Sequence, residues 1–189
     1  MKTRSLILGS TAFMLSAVLA VGGCSKKEEA PQPGTQAGQA AQQTAPHQPA
    51  MGNATIIAEL EGKLRENPLD TEALWRLGDA YFDSKQFEQS ASYYKKVLEI
   101  KPGEADLYND LGLSLHYLGN SAEALKYVEE GIKRNPYHQR IWLTKGFILA
   151  YGTGDMDGAK VAWEKASALN PESQIGKAAS EYLAALNKK

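Results

Sequence analysis

The feature that most constrains the fold is an internal repeat with a period of 34 residues, which runs from about Thr71 to Ser173. Matching large, small and proline positions return in three copies: Leu74, Leu77, Gly78, Tyr81, Ser90, Tyr94, Val97 and Pro102; then Tyr108, Leu111, Gly112, Leu115, Ala124, Val128, Gly131 and Pro136; then Trp142, Gly146, Leu149, Ala159, Trp163, Ala166 and Pro171. The third copy holds one inserted residue near Thr153 and Gly154. Repeats of this length are single supersecondary units that bury their apolar faces by stacking on their neighbours. The chain after Asn53 is rich in Ala, Leu, Glu, Lys and Tyr, a composition that favours helices.

This pattern resembles the tetratricopeptide repeat, in which a large residue, Leu-Gly, a tyrosine, a small residue, an aromatic residue, an alanine and a proline recur. The resemblance implies one pair of helices for each repeat, at about residues 71–104, 105–138 and 139–173. It also implies that the pairs stack into an all-α, right-handed solenoid. We therefore expect a tetratricopeptide-repeat domain over residues 54–189.

The small residues and prolines have structural roles in this pattern. Gly78, Gly112 and Gly146 fall on the first helix of each pair, where the missing side chain allows the second helix to approach closely. A proline ends each second helix because it cannot continue the backbone hydrogen-bond ladder. Two further helices complete the predicted array. Residues 54–66 match the second helix of a repeat that lacks its first, and residues 174–187 form a capping helix with a polar outer face.

In tetratricopeptide repeats, positions 2, 5, 6, 9, 12 and 13 lie on the first helices and line a concave groove that binds a protein segment. The resemblance therefore implies a groove formed by Glu72, Trp75, Arg76, Asp79, Phe82, Asp83, Asp106, Asn109, Asp110, Leu113, His116, Tyr117, Arg140, Leu143, Thr144, Phe147, Ala150 and Tyr151. Exposed aromatic residues usually mark a binding surface, and five of these are candidate anchors: Trp75, Phe82, Tyr117, Phe147 and Tyr151. Tyr117, Phe147 and Tyr151 are expected to lie close together. The alternative is that some of these rings pack against the cap helix or the next repeat.

Two pairs of carboxylates, Asp79 with Asp83 and Asp106 with Asp110, are spaced four residues apart and share a helix face. Such pairs are compatible with a cation site, a basic-peptide site or acid–base chemistry. They also fit a solvated acidic face that neighbouring arginines partly neutralise. This last interpretation is preferred, because no nucleophile–base pair, phosphate-binding loop or metal motif accompanies them.

The groove does not match the tetratricopeptide domains that clamp a C-terminal carboxylate between Lys, Asn and Arg side chains. The corresponding positions here are Trp75, Asp79, Asp110, Arg140 and Thr144, of which Arg140 alone keeps the charge. The resemblance thus favours an apolar or basic partner segment over an acidic tail.

The first 24 residues resemble the export signal of a bacterial lipoprotein. Two basic residues precede an apolar run from Leu6 to Val21, and Val21-Gly22-Gly23-Cys24 matches a lipobox. The resemblance implies a signal peptide at residues 1–23 and acylation of Cys24, the only cysteine. Ser25 after the cysteine implies sorting to the outer membrane of a bacterial cell envelope, facing the periplasm. Residues 24–53 are expected to form the lipidated cysteine and a disordered spacer, because Gln, Ala, Pro and Gly dominate them.

Composition excludes several kinds of site. The lone cysteine rules out an intramolecular disulfide and a cysteine-based zinc site, and His47, His116 and His138 have no metal-ligand spacing. A formal net charge of -1 without a basic run gives no electrostatic basis for binding nucleic acid. No catalytic or cofactor motif is present, so neither an enzyme nor a cofactor-binding protein is expected.

These features together predict a membrane-tethered scaffold that binds a protein or peptide partner and supports the assembly of an envelope complex. Narrower roles stay open: a helper in cytochrome c maturation, a pilotin-like assembly lipoprotein, or an adaptor for outer-membrane assembly or for peptidoglycan enzymes. A structural protein that oligomerises with itself is the alternative class. The sequence leaves the oligomeric state and the identity of the partner undetermined.

Overall fold

The computed structural model describes residues 52–186, which form eight α-helices and one π-helical turn. In chain order these are α1 (Asn53–Glu66), α2 (Thr71–Asp83), α3 (Phe87–Ile100), α4 (Ala105–Tyr117), α5 (Ser121–Arg134), α6 (Gln139–Ile148), the π turn (Leu149–Thr153), α7 (Met156–Leu169) and α8 (Gln174–Leu186). Within this range, no helix has both the length and the hydrophobicity needed to cross a membrane. The predicted signal peptide, Cys24 and nearly all of the predicted spacer lie outside the described residues.

Aspartate side chains cap the starts of α2 and α7. Asp70 accepts hydrogen bonds from the backbone N–H groups of Glu72 and Ala73, at 3.1 and 3.0 Å. Asp155 accepts one from the Gly158 N–H at 2.9 Å. These side chains satisfy N–H groups that have no partner inside the helix, so the sequence specifies where the two helices begin.

The helix starts reproduce the 34-residue period. α2, α4 and α6 begin 34 residues apart, as do α3 and α5, whereas α7 begins 35 residues after α5. The π turn takes up the additional residue, because a π-helix closes its hydrogen bonds over five residues instead of four. The insertion expected near Thr153 and Gly154 is therefore a wider helical turn at the end of the first helix.

Glycines on the first helices allow the paired helices to interlock. The pairs in contact are Gly78 with Tyr94, Gly112 with Val128 and Gly146 with Trp163, and a Cβ atom on each glycine would lie closer than 3.0 Å to its partner. Side chains of the second helices thus fill the space that the glycines leave. This close approach confirms the role predicted for the three glycines.

The first and last helices close the two ends of the core. Leu60 of α1 is buried in a cluster with Ala73 and Leu77 of α2. At the other end, Tyr182 of α8 stacks on Trp163 of α7, with ring centroids 4.8 Å apart and an interplanar angle of 15°. The predicted architecture, three helix pairs with a half-repeat helix before them and a capping helix after them, is confirmed.

Candidate protein-binding groove

The predicted groove residues lie on α2, α4, α6 and the π turn, and many of their side chains belong to one of two groups. The acidic cluster consists of Asp79, Asp106, Asn109, Asp110 and Arg140. The aromatic cluster consists of Phe82, Phe87, His116, Tyr117, Phe147 and Tyr151, and it lies at the C-terminal ends of the first helices and the start of α3.

Asp106 is held by two side chains of the next repeat. Arg140 donates to Asp106 Oδ1, and His138 Nε2 lies 3.0 Å from the same oxygen. Because His138 Nδ1 accepts the Ile141 backbone N–H that opens α6, at 3.3 Å, Nε2 carries the proton and donates to Asp106. The His138 hydrogen bond is the largest of the effects on the pKa of Asp106 and lowers it. Asp106 is therefore a carboxylate paired within the protein.

The pKa values of Asp110 and Asp79 shift in the opposite direction, upward. Burial raises the pKa of Asp110, whose side chain is 16% exposed, and Arg140 at 3.6 Å opposes the rise. Burial also raises the pKa of Asp79 to about 7, the nearby charge of Asp110 adds to the rise, and a 2.8 Å hydrogen bond from the Tyr94 hydroxyl counters it. Water reaches part of Asp79, but the surrounding protein atoms and the second carboxylate disfavour its charged form.

The Asn109 side chain belongs to the acidic cluster but is fully buried. Its Nδ2 donates to Asp110 Oδ1 at 3.1 Å. Within residues 52–186, its Oδ1 is buried and has no hydrogen-bond partner. A buried polar atom without a partner costs about 1–3 kcal/mol. The acidic cluster therefore contains an acceptor that the described part of the protein does not satisfy.

The rings of the aromatic cluster contact one another across all three repeats. Phe87 stacks on Tyr117 with centroids 4.8 Å apart, and Phe82 packs edge-on against both, at 5.3 and 5.8 Å. Tyr117 lies 6.4 Å from Phe147, which lies 5.1 Å from Tyr151. The predicted proximity of Tyr117, Phe147 and Tyr151 is confirmed. Each such aromatic pair contributes about 0.5–1.5 kcal/mol beyond area burial, so the rings support one another.

Two tyrosines form the most exposed part of the aromatic cluster. Tyr117 is 37% exposed and Tyr151 is 55% exposed. Phe147, whose ring contacts both of them, is only 8% exposed. Tyr117 and Tyr151 therefore form the exposed surface of this cluster, and Phe147 supports them from below.

Several predicted groove residues are in the core instead of on the surface: Asn109, Leu143, Thr144, Phe147 and Ala150. Leu143 packs with Trp163 and Ala179 in the core that α8 closes. Phe147 belongs to the central core and meets the His116 ring edge-on at 5.1 Å. Packing against a neighbouring repeat, the alternative raised above for the aromatic rings, applies to Phe147. The expected exposure of all five residues in the groove is corrected accordingly.

The other predicted residues reach the surface fully or in part: Glu72, Trp75, Arg76, Asp79, Phe82, Asp83, Asp106, Asp110, Leu113, His116, Tyr117, Arg140 and Tyr151. Trp75 belongs with the acidic cluster, because its hydrogen bond lowers the pKa of Asp110. Leu113 packs against the central core. His116 Nδ1 lies 2.9 Å from Ser121 Oγ, and burial lowers the pKa of His116, so its ring is neutral at pH 7.

Two residues of this surface were not predicted from the sequence. Phe87 opens α3 and stacks on Tyr117. Tyr182 of the cap helix has its pKa raised to about 12, mainly by burial and then by the nearby charges of Tyr151 and Tyr117. The groove positions of the repeat pattern belong to first helices only. An aromatic residue at the first position of a second helix was the available signal for Phe87.

Comparison with known proteins identifies the family. Two tetratricopeptide repeat models match residues 70–135 and 109–174, which together cover more than half of the chain. The human protein O-mannosyl-transferase TMTC3 is 24% identical over 69% of this chain and 16% of its own length. The photosystem I assembly protein Ycf3 of Acaryochloris marina is 31% identical over 49% of this chain and 54% of its own length. The chain thus spans from about a sixth to about half of the length of these relatives.

Solved structures share the fold. TTC0263, a thermophilic TPR protein of Thermus thermophilus, has a TM-score of 0.62 and 22% sequence identity, covering 71% of this chain and 74% of that one. The first TPR domain of Spaghetti (RPAP3), bound to the HSP90 peptide SRMEEVD, has a TM-score of 0.56 and 17% identity, covering 62% of this chain and 90% of that one. The helix pairs, the interlocking glycines and the matching family models agree, and the chain belongs to the tetratricopeptide repeat family.

Proposed function

We propose that this chain is a membrane-tethered scaffold that binds a segment of a partner protein across α2, α4 and α6 and supports the assembly of a complex at the bacterial cell envelope. Tetratricopeptide repeats point to a protein–protein interaction scaffold. The observation that carries the proposal is the pair of exposed tyrosines, Tyr117 and Tyr151, backed by the buried ring of Phe147. Exposed aromatic residues are typical anchors of an interface.

The charges on the same face favour an apolar or basic partner segment. The Spaghetti domain is bound to a peptide with three carboxylate side chains, SRMEEVD. In this chain Asp79 and Asp110 occupy the face, and like charges placed together disfavour a partner. Arg140, the cation retained at a clamp position, is already shared between Asp106 and Asp110. An acidic peptide therefore lacks the cation that would hold it.

Sequence features support the membrane tether. The apolar run from Leu6 to Val21 is followed closely by Cys24, the only cysteine of the chain. Acylation at Cys24 would stabilise membrane binding by about 0.8 kcal/mol for each buried CH₂ group. Residues 24–53, as a flexible coil, would let the repeats reach roughly 30 Å from the membrane surface. Ser25 supports the outer membrane, by resemblance to bacterial lipoproteins.

A relative supports the role in assembly. Ycf3, 31% identical over 49% of this chain, is by its name a photosystem I assembly protein. This similarity supports assembly of a protein complex as the role of the chain. That the complex lies at the cell envelope is part of our proposal and is not taken from the similarity to Ycf3.

Site-specific crosslinking tests the groove in intact membranes. The photoreactive residue p-benzoylphenylalanine is placed at Tyr117 or Tyr151 of the full-length chain, and we expect both positions to give an adduct of the same mass. Tyr137, which is 76% exposed between α5 and α6, is the matched control and should give none. Equal adducts from all three positions, or none from Tyr117 and Tyr151, would contradict the proposal. An adduct of twice the mass of the chain would show that a second copy is the partner.

Metabolic labelling with a palmitate analogue tests the tether. The wild-type chain should be labelled and recovered with membranes. The Cys24→Ala variant should be neither labelled nor recovered with membranes. The reason is that the thiol is the acceptor of the lipid. Equal labelling of both proteins would contradict lipidation at Cys24.

A further inference from the structure

One helix joins the acidic cluster to the aromatic cluster and sets the distance between them. Asp110 and Tyr117 are seven residues apart on α4, which places them on one face, two turns apart. At 1.5 Å per residue, that separation is about 10 Å along the helix. A short segment that lies along α4 therefore contacts both clusters.

The acidic cluster carries more negative charge than its own arginine neutralises. Arg140 is shared between Asp106 and Asp110. Asp79 accepts a hydrogen bond from the Tyr94 hydroxyl, which carries no charge. Of all the groups that shift the pKa of Asp79, Arg140 has the smallest effect. A cation that binds here would favour the charged forms of Asp79 and Asp110, which burial otherwise disfavours.

Asn109 adds a buried acceptor without a partner beside Asp110 within residues 52–186. This acceptor is the Oδ1 atom, and the whole side chain is fully buried. Lysine and arginine side chains supply N–H donors together with positive charge, and they bring no acceptor. The carboxylates of Asp79 and Asp110 reach the surface at least in part and offer acceptors, so a cationic donor fits this place.

We propose that the partner segment carries a lysine or arginine that binds at Asp79 and Asp110 and, about 10 Å away, an aromatic or large aliphatic side chain that packs on Tyr117 and Tyr151. This inference rests on the proposed function and names the chemistry of the partner. In an extended segment the two side chains are about three residues apart, since each residue spans about 3.3 Å. In a helical segment they are about seven residues apart.

A phage-display selection tests whether one partner segment carries both side chains. A random peptide library is selected against the full-length chain in detergent. We expect the enriched peptides to share a basic residue and an aromatic or large aliphatic residue at a fixed spacing. Selection on Asp79→Asn should weaken the basic preference and keep the apolar one, and selection on Tyr117→Ala with Tyr151→Ala should do the reverse. Asp157→Asn and Tyr137→Ala, both at exposed positions outside the groove face, are the matched controls and should return the wild-type motif.

Affinity measurements on one enriched peptide complete the test. Asp79→Asn keeps an oxygen that accepts from the Tyr94 hydroxyl, so the variant should fold, and circular dichroism checks that it does. The peptide should bind this variant about tenfold more weakly and with less dependence on salt. Asp110→Asn is the second variant and should act in the same direction.

The outcomes separate this inference from the proposed function. Peptides that bind in the groove but lack a basic residue, or that bind Asp79→Asn and Asp110→Asn with unchanged affinity, would overturn the inference and leave groove binding in place. A library without enriched peptides, or peptides that are insensitive to every groove variant, would overturn both.

Discussion

The second and third repeats share one register, yet their first helices expose different positions. In α4, Asp110 and Leu113 reach the surface at least in part, whereas their equivalents in α6, Thr144 and Phe147, are buried. Phe147 is buried because it packs into the central core, where its ring meets His116 of α4. Register on a helix determines the direction of a side chain, and neighbouring elements determine whether solvent reaches it. The last repeat therefore supports the binding face more than it contributes to it.

The largest expected effect is a loss of stability in Phe147→Ala. Truncation of a buried phenylalanine costs about 3–4 kcal/mol through lost burial and the cavity that remains. Denaturant unfolding of the full-length chain in detergent measures it. Tyr151→Ala, at the 55% exposed end of the same cluster, is the control and should cost less than about 1 kcal/mol. Equal losses in the two variants would remove the distinction between support and contact.

Gly146→Ala should cause the next largest loss of stability. The added Cβ atom overlaps the Trp163 indole, and overpacking of this kind costs about 1–3 kcal/mol. Gly103→Ala, where no atom lies within 4 Å of the new Cβ, should change the free energy of unfolding by less than about 0.5 kcal/mol. The same unfolding assay compares them. Similar values for both would mean that α7 moves away from α6 at little cost.

Tyr117→Ala should separate binding from stability. Loss of an exposed aromatic anchor should weaken binding of a groove peptide by about 1–2 kcal/mol, or about tenfold. Loss of its ring contacts with Phe82, Phe87 and Phe147 should cost about 1–2 kcal/mol of stability. This is less than the loss in Phe147→Ala, because Tyr117 is 37% exposed and Phe147 only 8%. Titration calorimetry and unfolding on the same samples test both values. If Tyr117→Ala binds the peptide with wild-type affinity, the contact surface lies elsewhere. Tyr137→Ala is the control for an exposed tyrosine outside the groove.

The smallest effect concerns the pH dependence of stability at Asp79. Its pKa is about 7 in the folded protein, against 3.8 for an ordinary aspartate side chain. Between these values the folded state binds more protons than the unfolded state, so this group lowers stability as pH rises through that window. Asp79→Asn should therefore be more stable than the wild type at pH 8, by at most about 1 kcal/mol because water reaches the carboxylate, and should gain less at pH 5. Thermal melts at the two pH values measure the difference, and equal gains would contradict the shift.

The fold was predictable because it depends on a few residues at fixed spacing. A glycine on one helix and a large residue on the next, such as Gly146 and Trp163, meet only if the helices pair as a repeat. The period carries this information directly, and it also placed the extra residue before α7. The capping helix was predicted from the polar outer face of residues 174–187, and Tyr182 on its other side stacks on Trp163.

The groove was predictable only in part, because exposure is a tertiary property. Repeat positions identified the face that holds Tyr117 and Tyr151, but they did not show that the core closed by α8 takes in Leu143. Phe87 joined the aromatic cluster from a second helix, outside the positions that the repeat pattern assigns to the groove. The burial of Asn109 depends on tertiary packing around α4, which no spacing in the sequence encodes.

The π turn at Leu149–Thr153 determines how α7 is rotated about its own axis relative to α6. An α-helix rotates by about 100° per residue, so one uncompensated residue between α6 and α7 would turn Trp163 away from Gly146. The wider turn holds that residue before the left-handed backbone of Gly154, at φ 77°, and α7 keeps its contact with α6. The length of a repeat can thus change at the end of its first helix without rotating the second. The array constrains the orientation of its helices more strongly than the number of residues between them.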